Sequence, residues 1–373
     1  MPAYARVRAH VRESVSRGQG YLRVPAAQCR HGDLVFRRIL SVCFDSPLMH
    51  ASTKGESMTA LVDALPFGSL RKLRQRLSVR LNLSKFLQLR FNLCLMSILP
   101  MCCAKAYIWM LVRLYFVIRR GQVKGIRNNI ARAMRDRTPT EVNKITRGVV
   151  KGMIQHYQEK MVNGFLAVPE VRKLLVSNVT FDGYERILQD ALKEGRGVII
   201  VTGHYGAVEF LPVYLAMKKY PTVAVAKFTT ERLKEIAVSR ANRVGLDVIV
   251  PGNGTNVLHE ASKVLSQNKI FVIQCDETDE WHRDRNATME FLGRMVHPDK
   301  MLKVLCNRTR AVLLFGVLQR EGGNGYKLLL HRVPCEGDVP INIGTLKLLE
   351  SYIYQHPDQW YEWKKYHRFA RAS

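Results

Sequence analysis

The stretch Val198-Ile199-Ile200-Val201-Thr202-Gly203-His204-Tyr205-Gly206-Ala207-Val208-Glu209 sets the fold class of this chain. Its first five residues are strand formers with no charge among them, and they read as a buried strand. A histidine flanked by glycines follows, where the strand ends and a helix is expected to begin. Open α/β sheets place their active sites at such ends. On one continuous helix, residues five apart lie about 140° apart around the axis, so His204 and Glu209 would not touch. With His204 in the turn and Glu209 in the first two turns of the helix, the two meet. The pair then forms a general base whose tautomer a carboxylate holds, a catalytic triad without its serine. A histidine and a glutamate at this spacing also arise by chance. Gly203 and Gly206, which let backbone and substrate approach closely, favour the chemical reading.

The same rhythm continues outward. Strands are predicted at 198–202, 223–226, 247–250, 270–274, 311–315 and 326–330, with helices between them at 207–219, 230–243, 254–267 and 298–308. A last helix is expected over 341–356, stopped before Pro357. Strands alternating with helices predict an α/β fold whose central sheet is mostly parallel. Gly323-Asn324-Gly325 reads as a hairpin turn between the last two strands, which makes the sheet mixed. Thr138-Pro139-Thr140-Glu141 reads as the start of a long helix reaching Phe165.

The N-terminal third differs. Residues 1–57 mix arginine, glycine and histidine without a period, and a poorly ordered basic extension is expected there. Residues 58–120 read as a basic segment and membrane-anchor helix, and 121–373 as the α/β domain. The run from Phe91 to Ile118 is apolar, broken only by Lys105 and Arg113. It is read as a helical anchor that either spans a bilayer or lies along its surface, with a buried core helix as the plain alternative. Seven Lys/Arg lie between Arg71 and Arg90 with no acid, and seven more between Arg119 and Arg137 against Asp136 alone. The formal net charge is +27. Such a charge implies an anionic partner: nucleic acid, anionic lipid or an acidic protein. No nucleic-acid-binding signature accompanies it, and its placement around an apolar run favours a membrane surface. The eight cysteines show no metal spacing, so reduced thiols in a cytoplasmic setting are expected. No G-x-S-x-G elbow, H-E-x-x-H pair or nucleotide-binding loop is present.

His204-Tyr205-Gly206-Ala207-Val208-Glu209 resembles the H-x4-E block of the bacterial lipid A biosynthesis acyltransferases, a family similar to the glycerolipid acyltransferases. Other blocks fall in the same order: the basic, asparagine-containing Val123–Ile130, Gln274-Cys275-Asp276 at a strand end, Phe291-Leu292-Gly293, Gly325-Tyr326, and His356–Lys364, which resembles the family's terminal P-x-Q-W-x-W block but has two residues between its tryptophans. The resemblance covers about 85–373. It departs where Ala207-Val208 replaces the usual Asn-Trp, where Glu277 and Thr278 follow the acidic strand end, where Lys227 stands for an arginine, and where Lys364-Lys365 follows the last tryptophan.

The resemblance implies transfer of an acyl chain from a thioester, on acyl carrier protein or CoA, to a lipid hydroxyl. His204 and Glu209 are the expected catalytic pair. Backbone amides of Tyr205 and Gly206 are expected to hold the oxyanion, Asp276 and Glu277 to position the acceptor, and Lys227, Arg240 and Lys303 to meet phosphate. Cys275 is a weaker candidate, as a covalent acyl carrier. No cofactor or metal is expected beyond the thioester co-substrate. A lipid A precursor, a lysophospholipid and another glycolipid all fit as acceptor. The implied place is the cytoplasmic face of a bacterial inner membrane. A reading of another class stands beside it, that of a non-catalytic basic protein binding membrane or nucleic acid.

Overall fold

The computed structural model describes residues 83–369 apart from 88, 182, 229–230, 253, 278–281, 324 and 335–339. The extension expected over 1–57, the basic residues 71–82 and the middle of the Gly323-Asn324-Gly325 turn lie outside them.

Short helices α1 (Leu83–Leu87) and α2 (Arg90–Ile98) lead to α3 (Met101–Ile118), so the apolar run is two helices rather than one. The break falls at Leu99-Pro100, because proline clashes with a helical residue before it. Helices α4 (Arg120–Ala133), α5 (Pro139–Phe165) and α6 (Val168–Asn178) follow. α5 starts where the sequence predicts. Thr138 Oγ1 accepts from the Glu141 amide at 3.3 Å, and the Glu141 carboxylate accepts from the Thr138 amide at 2.8 Å. Such a reciprocal cap stabilises a helix start by about 1 kcal/mol.

The remaining elements are β1 (Val179–Thr180), α7 (Glu185–Lys193), β2 (Val198–Thr202), α8 (Leu211–Met217), β3 (Thr222–Val225), α9 (Glu231–Arg243), β4 (Leu246–Ile249), α10 (Val257–Ser266), β5 (Ile270–Gln274), β6 (Met289–Phe291), β7 (Arg294–Val296), α11 (Met301–Thr309), β8 (Val312–Arg320), β9 (Tyr326–Arg332) and α12 (Ile341–Gln355). Two 3-10 segments, Pro357–Gln359 and Tyr361–Phe369, complete them. The main sheet has the order β1-β9-β8-β2-β5-β3-β4. Strands β8, β2, β5, β3 and β4 run parallel, while β9 runs antiparallel to β8. The sheet is therefore mixed and mostly parallel, with helices on both faces. Side chains of β2 alternate between two cores. Ile199 and Val201 pack with residues of α3, α4, α5 and α12, and Val198 and Ile200 with residues of α6, α7 and α8. All five residues of β2 are buried, and each aliphatic one stabilises the fold by about 1.5–3 kcal/mol.

The largest departure from the predicted elements falls at the quoted stretch. The helix expected from Ala207 begins only at Leu211, with Pro212 in its first turn. Gly206 has φ +59°, and a Cβ there would lie 2.1 Å from the Leu318 carbonyl oxygen. Residues 203–210 are a turn threaded against β8, and Glu209 lies before the helix instead of in its first turns. The hairpin β6–β7 was not foreseen. Phe291-Leu292-Gly293 makes its turn, with Leu292 at φ 49° and Gly293 at φ 74°, both in the left-handed region that a tight hairpin requires.

Candidate active site

Strand register builds the site. Thr202 on β2 is paired with Gln274 on β5. Two residues past each lie His204 and Asp276, side by side where the strands end. His204 Nδ1 is 2.8 Å from Asp276 Oδ1, and the backbone amide of His204 donates to both carboxylate oxygens at 3.0 and 2.9 Å. Trp360 Nε1 donates to Asp276 Oδ2 at 2.8 Å. Asp276 is buried, and these bonds reach both of its oxygens. Burial alone would raise its carboxyl; the charge and hydrogen bonds of His204, with the bond from Trp360, bring it below the ordinary value. Burial alone would depress the imidazole of His204. Asp276 outweighs that, with Glu362 and Glu277 adding to it, and raises the pKa from 6.5 to about 9.

The other ring nitrogen, Nε2, is 3.4 Å from Glu277 Oε2. His204 and Glu277 both line a cavity of about 540 Å³. Its mouth carries Lys160, Lys227, Lys364 and Lys365, with the buried Glu362 in its wall; its apolar part is formed by the buried Val171, Val213, Met217, Ala224, Val244 and Leu246. A volume of this size suits a small-molecule substrate.

The C-terminal segment locks the histidine loop. The Gly206 amide donates to the Gln359 carbonyl at 3.0 Å, the Tyr361 amide to the His204 carbonyl at 3.2 Å, and Tyr205 and Trp360 form a backbone bridge. Arg320 Nη2 donates to the Gly206 carbonyl at 2.6 Å while Nε and Nη2 reach Glu159 at 2.7 Å each. The Tyr361 ring meets His204 edge-on and stacks on His156, whose ring centroid lies 3.7 Å away. His156 lines the cavity and is buried. Its Nδ1 has no hydrogen-bond partner among the described residues. Burial, then the charges of Lys160 and Arg320, hold its pKa well below the ordinary value.

Several expectations are corrected by this geometry. The carboxylate that holds the imidazole is that of Asp276. Glu209 instead pairs with Lys160 at 3.3 Å, because the turn over 203–210 carries it to the cavity mouth. The Tyr205 and Gly206 amides are not free for an oxyanion: they donate to the carbonyls of Gly203 and Gln359. The Tyr205 ring is fully buried in the core. Gly203 and Gly206 make room for protein, not substrate: a Cβ on Gly203 would lie 2.5 Å from the Leu349 side chain. Arg240 turns its guanidinium to the carbonyls of Asn163 and Leu166, closing the cavity wall instead of presenting charge to phosphate. Lys303 lies near Asp284, at 3.9 Å. Burial, then the Asp276 charge, pushes the Cys275 thiol well up, against thiolate formation. Lys227 and Glu277 line the cavity. His156, Lys160 and Tyr361 were missed: they come from α5 and from the last 3-10 segment, far from His204 in sequence; no local pattern marks His156 or Lys160, while Tyr361 lies in the His356–Lys364 block without having been given a role. Among the described residues, no group of three or more His, Cys, Asp or Glu is placed to hold a metal ion.

A histidine backed by a buried aspartate at the end of an apolar cavity is a site for moving a proton beside a hydrocarbon chain. A model of the bacterial lipid A biosynthesis acyltransferase family matches residues 74–366. The chain belongs to that family. It is an acyltransferase, and its family acts on lipid. No curated protein matches the sequence. For the acyltransferase, the family assignment removes the reading of a binding protein without chemistry. Gln359, Trp360 and Tyr361 of the C-terminal block hold the histidine loop and its aspartate.

Proposed function

We propose that the protein moves a fatty acyl chain from a thioester, carried by acyl carrier protein or CoA, to a hydroxyl of a lipid A precursor, with His204 as general base. The observation carrying this reading is the His204 ring itself, held by Asp276 on one nitrogen and directed by the other toward the cavity. In the reaction, His204 Nε2 takes the acceptor hydroxyl proton as the oxygen attacks the thioester carbonyl carbon. The C–O bond forms, the C–S bond breaks, and the departing sulfur takes the proton from the imidazolium. Asp276 stays ionised throughout and stabilises the charged ring. General-base catalysis of this kind contributes about 10²- to 10⁴-fold. The cavity's apolar arm takes the acyl chain, and the cations at its mouth attract the anionic carrier and the acceptor phosphates. Glu277, whose Oε2 lies 3.4 Å from Nε2, gives way to the acceptor hydroxyl. Glu209 enters as a mouth carboxylate paired with Lys160.

A place of action at the inner membrane is supported by α3, an 18-residue helix with mean hydropathy 1.6. Ile108, Leu111, Val112 and Phe116 are buried, while Trp109, Met110, Leu114, Val117 and Ile118 are exposed. A helix with one face on its own domain and an exposed face that is apolar apart from Arg113 suits the bilayer interface, on the cytoplasmic side where acyl thioesters are made. The test is transfer of radiolabelled acyl chain from thioester to lipid A precursor. Wild type turns over and His204→Ala, folded by its melting curve, does not; an active His204→Ala protein rejects the mechanism. A lysophospholipid run in parallel identifies the acceptor.

A further inference from the structure

The roof of the cavity is one face of α9. Leu233, Ile236, Ala237, Arg240, Ala241 and Val244 line it, the last just past the helix end. These positions repeat at the three- and four-residue spacing of one helical face. The helix descends from the C-terminal end of β3 to the start of β4, so this face reads depth from mouth to closed end. From Leu233 to Ala241 the descent is about 12 Å, and from Ala237 to Ala241 about 6 Å. The floor is the sheet. Ala224 is paired with Val272 on one side and Val248 on the other, and all three line the cavity. One row deeper, Thr222 and Ile270 are closed off and only Leu246 still lines it. The inner arm therefore bends toward β4 and ends among Leu246, Val244 and Met217. Large side chains stand at its top and its end, and alanines stand between them on both roof and floor. Alanine in close helix-on-sheet packing would leave no space; here the space is present above it.

We propose that Ala237 and Ala241 on the roof, with Ala224 on the floor, keep this arm open and set the length of the acyl chain that the enzyme accepts. The proposal rests on the reading of the cavity as the acyl site. Each methylene that enters the arm strengthens binding by about fourfold, and the gain stops where the arm ends. An isopropyl group added at Ala241 blocks the last part of the arm. The same group added at Ala237 blocks it one helical turn higher. Depth in the cavity is thereby written in the sequence of α9.

The test is binding of a homologous series of straight-chain saturated fatty acids, below their micelle concentrations, to the full-length protein. Wild type gains about fourfold per added methylene and then reaches a plateau. Ala241→Leu reaches its plateau at a shorter chain, Ala237→Leu at a shorter one still, and both bind the shortest acids as wild type does. Val244→Ala, which enlarges the end, moves the plateau to a longer chain and covers the case in which a leucine variant does not fold. Folded leucine variants that share the wild-type plateau overturn the proposal, as does an unchanged plateau in Val244→Ala. Wild type showing no dependence on chain length rejects the acyl site itself. Acyl transfer that persists while all plateaus coincide rejects only the role of the alanines.

Discussion

The indole nitrogen of Trp360 donates to Asp276 at 2.8 Å, from the opposite side of the carboxylate to the His204 ring. A residue 84 positions from Asp276 in sequence thus completes the hydrogen bonding of the carboxylate that holds His204. Replacing Trp360 by Phe leaves Oδ2 short of a donor while keeping an aromatic ring in the core. The expected outcome is a fall in kcat with KM nearly unchanged, and a shift in the pH profile, since the carboxylate is less well held. A purely packing role for Trp360 would lower the melting temperature and leave the profile where it was.

Asp276→Asn and Glu209→Gln separate the two carboxylates. The asparagine cannot take the imidazole proton, the amide of His204 and the Trp360 donor together, so activity should drop by about 10²- to 10⁴-fold. Glu209→Gln removes a half-exposed pair with Lys160 at the cavity mouth and should cost much less. Equal losses in both, measured as kcat/KM, would return Glu209 to the role of orienting partner.

The pH dependence follows from the raised pKa of His204. The base works only when neutral, so kcat/KM should climb with pH along a limb near the free-enzyme value of about 9. Glu277→Gln takes away one of the charges holding the proton and should move that limb to lower pH. A limb unchanged by the substitution argues against contact between Glu277 and the ring in solution.

Stability has the opposite slope. The folded pKa of His204 is about 9 against an ordinary 6.5, so the stabilisation from its protonation is complete below 6.5 and is lost as pH rises through 9. Asp276 is shifted down from 3.8, and its share is present above that value and lost as pH falls below it. The pair therefore stabilises most between the two ordinary values. Melting temperatures of wild type and His204→Ala across pH should converge toward the alkaline end.

Membrane binding should depend on the bare face of α3. Leu114 and Val117 are each about half exposed, and Leu114→Glu with Val117→Glu places charge in the interface at a cost of a few kcal/mol. Flotation with vesicles rich in phosphatidylglycerol should show wild type bound, more weakly in high salt, and the double variant left in solution with its melting curve intact. A double variant that still floats would move the contact elsewhere.

The residues alone were enough for the class of the fold and for the strand ends at which the candidate site lies. Runs such as Val198–Thr202 and Ile270–Gln274 are apolar because parallel strands are buried on both faces, and their alternation with helices leaves few other arrangements. His204 and Asp276 were both legible as strand-end residues. Only the tertiary structure decided that they are partners. The pairing of Thr202 with Gln274 brings them together, and a shift of one residue would turn Asp276 to the other face. Glu209, nearer in sequence, was carried away by the left-handed turn at Gly206 and the late start of α8. Covalent nearness told less than strand register, because contact across a sheet is set by hydrogen-bond pairing between segments that the chain itself holds far apart.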